Sequence, residues 1–264
     1  MVHFVINPAS RGGKGKHIWN KVLAPAMETK QIPYEVHFSS EKGDIARICA
    51  MLEKQDDSLL LIIVGGDGSL NEALSAITDH SKVTFGYIPS GSGNDFARDM
   101  KMSQKPLEVL NRILHTGNEQ RMDLGIVEYP DGKKRCFAIS CGIGFDAAVC
   151  EELQDSKLKR AFSRIKMGKL AYLCMALKQL LTAKRYDCEL LIDQKKTVKI
   201  NRMLFLTGMI HRYEGGGFLF CPMAQSDDGM LDLCVVGNVP RFFALLILPL
   251  AFWGKHYISK HIHH

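Results

Sequence analysis

The sequence predicts an α/β fold in which a doubly wound, parallel-sheet domain is followed by a mainly antiparallel β domain. The first observation is an uncharged run rich in Leu, Ile and Val at residues 58–64, which is typical of a strand buried on both faces. The second is that this run ends in Gly65-Gly66-Asp67-Gly68 and passes directly into a helical pattern, an order that recurs twice. The third is that strand-like segments dominate after residue 121.

Strands and helices alternate along the first half of the chain. We expect strands at 3–6, 34–38, 58–64 and 84–88, and helices at 17–30, 45–54, 70–78, 96–100 and 106–115. This order implies parallel strands joined by right-handed crossovers, with helices on both faces of the sheet. The loops that follow the strands therefore meet at one edge, where such sheets bind ligands.

The second half has a different pattern. We expect strands at 121–129, 135–143, 187–192, 198–207 and 231–236, with the domain boundary between 1–123 and 124–264. A helical stretch at 153–183 carries Lys and Arg along one side, which fits either a solvated face or a contact with an anionic bilayer. The apolar run at 242–253 is about half a membrane span and contains Pro249, which favours a core helix over a membrane contact.

Three glycine-rich polar loops follow strands of the parallel sheet, at 7–16, 65–68 and 89–95. Glycine permits positive φ and lets a ligand approach the backbone closely. Successive N–H groups at a helix start, with Arg11, Lys14 and Lys16 in the first loop, suit a phosphate group. Each loop alone also fits a structural interpretation, with Asp67 or Ser69 as a helix cap or a solvated basic loop.

The composition is that of an ordinary globular protein. Hydrophobic content of 46% and charged content of 23% exclude a disordered chain, and the net charge of +6 is too small to indicate nucleic acid. The eight cysteines form no C-x-x-C pair, which favours reduced thiols in the cytosol over disulfides or zinc. The N-terminus lacks the layout of a signal peptide. We therefore expect a cytoplasmic protein that binds no nucleic acid.

Four motifs occur in a fixed order along the chain. They are Asn7-Pro8-Ala9-Ser10, Gly65-Gly66-Asp67-Gly68-Ser69-Leu70-Asn71-Glu72, Pro89-Ser90-Gly91-Ser92-Gly93-Asn94-Asp95-Phe96-Ala97-Arg98 and Asp227-Asp228-Gly229-Met230-Leu231-Asp232. Together they resemble the diacylglycerol-kinase-type lipid kinases in their small bacterial form. The G-G-D-G turn also occurs in NAD kinases and phosphofructokinases, whereas the last two motifs are more specific. The resemblance implies an NAD-kinase-like first domain and a β-sandwich second domain.

The resemblance further implies an ATP site between the two domains and a bound Mg²⁺ ion. The positions that match the family's nucleotide contacts are Asn7, Pro8, Ala9, Ser10, Arg11, Ser40, Gly65, Gly66, Asp67, Gly68, Ser69, Leu70, Asn71, Glu72 and Ser92. The metal ligands implied are the Asp228 carboxylate and the main-chain carbonyls of Gln225 and Met230, and such oxygen ligands are what Mg²⁺ prefers. Asp67 would reach this metal through water, which makes it the expected catalytic residue. Taken alone, Asp227-Asp228-Gly229 also fits a hairpin turn.

The activity implied by the resemblance is ATP-dependent, Mg²⁺-dependent phosphorylation of a lipid hydroxyl, first of all diacylglycerol to phosphatidic acid. The partners expected are the lipid substrate and the inner face of the membrane, in peripheral contact, while a homodimer is left open. One alternative is a soluble-substrate kinase of the NAD-kinase type. Another is a catalytically impaired regulator that binds nucleotide or lipid.

The sequence departs from the family pattern in two ways. Ser69 and Ser92 stand where the family has Thr, which keeps the hydroxyl group. Family members also continue past the segment that matches Gly254-Lys255-His256 and carry an Asp-Gly-Glu turn whose acidic residue is taken as the general base. No Asp-Gly-Glu occurs in this sequence. We expect the sequence to be a truncated form, with a naturally impaired protein as the alternative.

Overall fold

The computed structural model describes residues 1–55, 58–115, 119–145, 147–149, 151, 178–259 and 261–263. The chain divides into two compact units, Met1–Ile139 and Ser140–His264. The domain boundary expected after residue 123 stays a prediction. Most of the helical stretch expected at 153–183 lies outside the described residues, which resume at residue 178.

The first unit is built on a four-stranded parallel sheet. Its strands are β1 (Val2–Ile6), β2 (Tyr34–Phe38), β3 (Leu59–Gly65) and β4 (Val83–Pro89), in the order β2-β1-β3-β4. β3 lies inside the sheet, and six of its seven residues are buried, because it is covered on both faces. The parallel sheet predicted from alternating strands and helices is therefore confirmed.

Helices cover both faces of this sheet. They are α1 (Ser10–Ile18), which continues through a π-helical turn (Trp19–Leu23) into α2 (Ala24–Lys30), then α3 (Asp44–Glu53), α4 (Asp67–Ala76), α5 (Asp95–Asp99) and α6 (Pro106–Leu114). Successive side chains of a strand point to opposite faces. Accordingly, Val5 packs in the core that includes α3 and α4, whereas Phe4 packs in the core that includes α1, α2 and α6.

An antiparallel hairpin completes the first unit. It consists of β5 (Gly125–Glu128) and β6 (Lys134–Phe137). The hairpin packs on α4, where the Ser75 hydroxyl donates a hydrogen bond to the Cys136 carbonyl at 2.7 Å. The single strand predicted at 135–143 is wrong, because the chain leaves this hairpin at residues 138–139 and enters a different sheet.

The second unit contains a five-stranded antiparallel sheet and a short hairpin. The sheet consists of β7 (Ser140–Gly144), β8 (Tyr186–Ile192), β9 (Lys196–Met209), β12 (Asp232–Gly237) and β13 (Ile262–His263), and the hairpin of β10 (Tyr213–Glu214) and β11 (Phe218–Leu219). The long strand β9 pairs with β7, β8 and β12. This arrangement confirms the predicted change from a parallel to a mainly antiparallel half.

The apolar run at 242–253 folds as helix α7 (Arg241–Ile247), followed by a 3₁₀ helix (Leu248–Trp253). Ala244, Ile247 and Ala251 are buried in the core of the second unit, whereas the outer side of the run is exposed. The run is therefore only partly a core element. No helix within the described residues has both the length and the apolar character needed to cross a bilayer.

Candidate functional site

The first loop begins at Asn7, which is fixed by both its backbone and its side chain. Its backbone N–H donates to the Val64 carbonyl at 2.9 Å and so extends the ladder between β1 and β3. Its Nδ2 donates to Ser69 Oγ at 3.2 Å, and its Oδ1 accepts from the Ala9 N–H at 3.2 Å. Asn7 therefore ties the loop after β1 to the first turn of α4.

The rest of the first loop turns back over its own start. Arg11, Gly12 and Gly13 have φ of 45°, 70° and 100°, and only glycine adopts such angles without strain. A Cβ on Gly15 would lie 2.1 Å from the Asn7 carbonyl oxygen, so that position also requires glycine. Because residues 11–13 have non-helical φ and ψ, the regular part of α1 begins only at Lys14, close to the helix start predicted at residue 17.

Two cations of this loop lie close enough to repel each other. The pKa of Lys14 is lowered first by burial and then by the charge of Arg11. Among the described residues, neither Lys14 nor Arg11 forms an ion pair with an acidic side chain. Two neighbouring cations with no acidic partner at a helix start favour the binding of an anion.

The second loop joins β3 to α4 through Gly65 and Gly66. A Cβ on Gly65 would lie 2.4 Å from the Ser69 Cβ, because the first turn of α4 packs directly against the strand end. No side chain caps the N-terminus of α4. The interpretation of Asp67 or Ser69 as the cap of this helix is therefore wrong.

Asp67 instead binds the third loop. Its carboxylate accepts hydrogen bonds from the backbone N–H groups of Asp95 at 3.0 Å and of Phe96 at 3.4 Å, which lie in the first turn of α5. Burial raises the pKa of Asp67, and the N–H groups of α5 act in the opposite direction. The result is a partly buried carboxylate at the sheet edge that is oriented by the neighbouring loop.

The third loop follows β4 and is shaped by Asn94. Asn94 Oδ1 accepts from the Gly91 N–H at 2.9 Å, and its Nδ2 donates to the Gly91 carbonyl at 3.1 Å. The Tyr87 hydroxyl donates to the same Oδ1 at 3.4 Å. Ser90, which is fully buried, shares a hydrogen bond of 2.7 Å with the Ser10 hydroxyl of the first loop. Ser92 is exposed at the tip of the loop.

The second and third loops meet backbone to backbone. A Cβ on Gly91 would lie 2.6 Å from the Gly66 Cα, and a Cβ on Gly66 would lie 3.1 Å from the Gly91 Cα. Neither glycine has a positive φ, so their role is to permit this close approach. Every pair of loops is thus connected, and the three loops form one backbone-lined surface at the carboxyl edge of the sheet.

Three residues of the predicted nucleotide set hold α4 in place. Leu70 is buried in the core, Asn71 Oδ1 accepts from the Ala138 N–H at 3.1 Å, and Glu72 Oε1 accepts from the Ala46 N–H at 3.2 Å. These contacts position the helix whose N-terminus borders the site. A direct contact of their side chains with a nucleotide stays a prediction.

Ser40 lies at the end of β2 and is bound to Asp44. Its N–H and hydroxyl donate to Asp44 Oδ2 at 2.8 Å and 2.5 Å. Hydrogen bonds from Ser40 and then from Arg47 hold the pKa of Asp44 well below its ordinary value. Both Ser40 donors are thus used inside the protein, and its predicted contact with a nucleotide stays a prediction.

The predicted metal ligands lie in an exposed turn of the second unit. Asp228 Oδ1 accepts from the Met230 N–H at 3.0 Å, and Gly229 has a φ of 73°. Gln225, Asp228 and Met230 are all exposed. The turn is not the hairpin turn that the sequence also allowed, because the flanking strands β11 and β12 belong to different sheets, but it presents an accessible carboxylate. Oxygen donors of this kind fit Mg²⁺.

A small cavity of about 30 Å³ lies within the second unit and has an almost wholly apolar lining. Phe205, Phe220 and Ile247 contribute to its wall, together with His256. Burial lowers the pKa of His256 to about 4, so that its imidazole is neutral at pH 7, and its Nε2 lies 3.2 Å from the Phe220 carbonyl. Neither this cavity nor the structural roles of Ser90 and Asn94 could be predicted from the sequence, although Ser90 and Asn94 lie in the P-S-G-S-G-N-D motif.

Comparison with known proteins identifies the two halves of the chain. Residues 1–127 match the family model of the diacylglycerol kinase catalytic domain, and residues 139–264 match that of the YegS C-terminal NAD kinase beta sandwich-like domain. A protein of Xanthomonas euvesicatoria named "Probable lipid kinase YegS-like" is 30% identical over 91% of this chain and 77% of its own length. A diacylglycerol kinase of Staphylococcus carnosus is 28% identical over 96% of this chain and 78% of its own length.

A solved structure has the same fold. The crystal structure of a diacylglycerol kinase from Bacillus anthracis superimposes with a TM-score of 0.63 at 22% identity, and the match covers 98% of this chain and 77% of that one. Both family models, the curated relatives and the fold agree with the motifs at the sheet edge. The chain therefore belongs to the diacylglycerol kinase and YegS-like family of lipid kinases, which are phosphotransferases.

Proposed function

We propose that the protein uses ATP and Mg²⁺ to phosphorylate a lipid hydroxyl, with diacylglycerol as the first candidate acceptor and phosphatidic acid as the product. The observation that carries this proposal is the mutual packing of the three glycine-rich loops at the carboxyl edge of the parallel sheet. Family membership supports the kinase class, while the acceptor and both cofactors belong to the proposal.

The site suits the phosphate groups of ATP. A Cβ on Gly66 or Gly91 would fill the space where the two loops touch, so the backbone itself forms this surface. Lys14 and Arg11 supply positive charge beside it, and the N-terminus of α4 adds partial positive charge. Phosphoryl transfer needs charge neutralisation and positioning more than covalent help, and these groups provide both.

The residues expected to hold Mg²⁺ offer oxygen donors. The exposed Asp228 carboxylate and the carbonyls of Gln225 and Met230 would bind the ion, with water completing its shell. Bound Mg²⁺ would neutralise charge that develops on the transferred phosphoryl group. Asp67 is oriented by the N–H groups of Asp95 and Phe96, which holds its carboxylate in place to order water or a metal at the sheet edge.

A lipid acceptor also needs apolar surface. Phe242 and Trp253 expose 73% and 67% of their surface on the outer side of the segment after β12. In this proposal these aromatic side chains contact the membrane surface from which the lipid is taken.

Transfer of labelled γ-phosphate from Mg²⁺-ATP to lipid vesicles, by the protein expressed from its whole reading frame, tests the proposal. Vesicles with diacylglycerol should yield labelled phosphatidic acid, whereas vesicles without it should not. Asp67→Asn should abolish transfer, and Asp131→Asn should not, because Asp131 lies in the exposed turn of the β5–β6 hairpin. Labelling of NAD instead of lipid would contradict the proposal, and so would ATP binding without transfer to any lipid.

A further inference from the structure

Three side chains with metal-binding atoms converge on one face of the sheet, on β1 and the edge strand β2. His3 of β1 pairs with Glu35 of β2, and His37 follows two residues later on the same face. His3 Nδ1 lies 3.5 Å from Glu35 Oε2, and His37 Nε2 lies 3.6 Å from the same oxygen. All three ligand atoms lie within 4.8 Å of one another.

These separations fit a metal ion better than direct hydrogen bonds. With bonds of about 2.0–2.2 Å, the ligand atoms of a tetrahedral Zn²⁺ ion are separated by about 3.3–3.6 Å. The distances from the two imidazole nitrogens to Glu35 Oε2, 3.5 and 3.6 Å, lie within that range. His37 Nε2 is buried and has no hydrogen-bond partner among the described residues, although a buried polar atom is normally hydrogen-bonded.

Protonated imidazoles explain the cluster less well. The rings of His3 and His37 are stacked with centroids 5.9 Å apart, so two imidazolium charges would repel each other. Neutral imidazoles beside a carboxylate are the ligand set that divalent transition metals bind.

The cluster is also accessible. The side chain of His3 is only 4% exposed and that of His37 is 20% exposed, whereas that of Glu35 is 50% exposed. A cation can therefore enter from the side of Glu35, and water can take the fourth position that three protein ligands leave. β2 is the edge strand of the sheet, so an ion at this point would join it to β1 through side chains as well as through the backbone ladder.

We propose that His3, Glu35 and His37 form a binding site for one divalent transition-metal ion, in the first place Zn²⁺, which fastens the edge strand β2 to β1. The site lies within the sheet and is separate from the residues expected to hold Mg²⁺. Its imidazole nitrogens favour Zn²⁺ over Mg²⁺, which prefers oxygen ligands. This proposal does not depend on the proposed lipid kinase activity.

Calorimetric titration of the metal-free protein with Zn²⁺ tests the site directly. The sequence ends in His261-Ile262-His263-His264, which can itself bind zinc, so the titration is made on the His261→Ala/His263→Ala variant as the reference. We expect the reference to bind Zn²⁺ at one site in the presence of excess Mg²⁺. In that background, His37→Ala and Glu35→Gln should each weaken binding by at least about 10-fold, since loss of even an outer-shell partner costs that much.

Two further measurements separate a metal site from a fold effect. Circular dichroism should show that both variants remain folded, and His17→Ala, which removes an exposed imidazole of α1, should bind Zn²⁺ like the reference. Co²⁺ in the reference should give the visible absorption of a tetrahedral site, and folded Glu35→Gln should lose it. Absence of Zn²⁺ binding in the reference would overturn the proposal. Equal affinity in the reference and in both cluster variants would do so as well.

Discussion

Replacing Gly91 with alanine tests whether the glycine-rich loops form a single packed surface. The added Cβ would lie 2.6 Å from the Gly66 Cα, and ordinary contact begins at 3.4 Å, so the loops would have to separate by about 0.8 Å. Overpacking of this kind costs about 1–3 kcal/mol. For a domain of this size that corresponds to a fall in Tm of about 3–10 °C. Since misplacement by about 1 Å costs on the order of 100-fold in rate, transfer should fall steeply too.

Two other glycines turn this prediction into a graded series. In Gly66→Ala the added Cβ would lie 3.1 Å from the Gly91 Cα, so this variant should lose less stability and ATP affinity than Gly91→Ala. Gly68 lies in the first turn of α4 with nothing within 4 Å of its Cβ position, so Gly68→Ala should leave stability unchanged or raise it by up to about 1 kcal/mol. Thermal unfolding and calorimetric titration with Mg²⁺-ATP measure both effects. Gly91→Ala with wild-type stability and ATP affinity would refute the packing argument, as would an equal loss of stability in all three variants.

Three further predictions follow from charged and polar groups. Asp67→Asn should abolish lipid phosphorylation at a smaller cost in stability than Asp67→Ala, because the amide oxygen can still accept from the Asp95 N–H and the substitution removes a charge whose burial raises the pKa of the carboxyl. Asp67→Ala should cost about 1 kcal/mol in urea unfolding, because α5 loses both acceptors. The pKa of Asp44 is depressed, so the ionised carboxylate contributes to the free energy of unfolding at pH values above the ordinary Asp pKa, and this contribution is lost on acidification. Ser40→Ala should raise the pKa of Asp44 in an NMR titration and move acid unfolding to higher pH. The pKa of His256 is lowered to about 4, so the second unit should lose stability as the pH falls from about 6.5 to 4, and His256→Gln should flatten that profile. Normal turnover in Asp67→Asn would contradict the catalytic role of Asp67. An unchanged dependence of stability on pH in Ser40→Ala or His256→Gln would contradict the role given to Asp44 or His256.

The sequence predicted the parallel sheet and the location of its loops because those features depend on local patterns. The uncharged run of β3 and the glycines after it can be recognised in a single window of sequence. The connections between the loops could not be recognised in this way. The bond from Asp67 to the first turn of α5 joins residues 28 and 29 positions apart, and the bond between Ser10 and Ser90 joins residues 80 positions apart.

Other differences have equally physical reasons. The strand expected at 135–143 is divided because β6 and β7 belong to different sheets, and an apolar run does not reveal which partner a strand will choose. The helix start was expected at residue 17 because a glycine-rich stretch normally signals a loop. In the structure the regular part of α1 begins at Lys14, after a left-handed turn of Arg11, Gly12 and Gly13, and the left-handed conformation of Arg11 could not be foreseen from its residue type. The His3, Glu35 and His37 cluster depends on cross-strand register, which single-sequence patterns do not fix.

In the proposed function, the loops at 7–16, 65–72 and 89–98 form one nucleotide-binding surface. Hydrogen–deuterium exchange with and without Mg²⁺-ATP tests it most directly, because the surface consists largely of backbone N–H groups. We predict that ATP slows exchange in all three segments at the same ATP concentration, and that Gly91→Ala weakens the protection in all three together. Protection of only one of these loops, or protection confined to other parts of the chain, would contradict the claim.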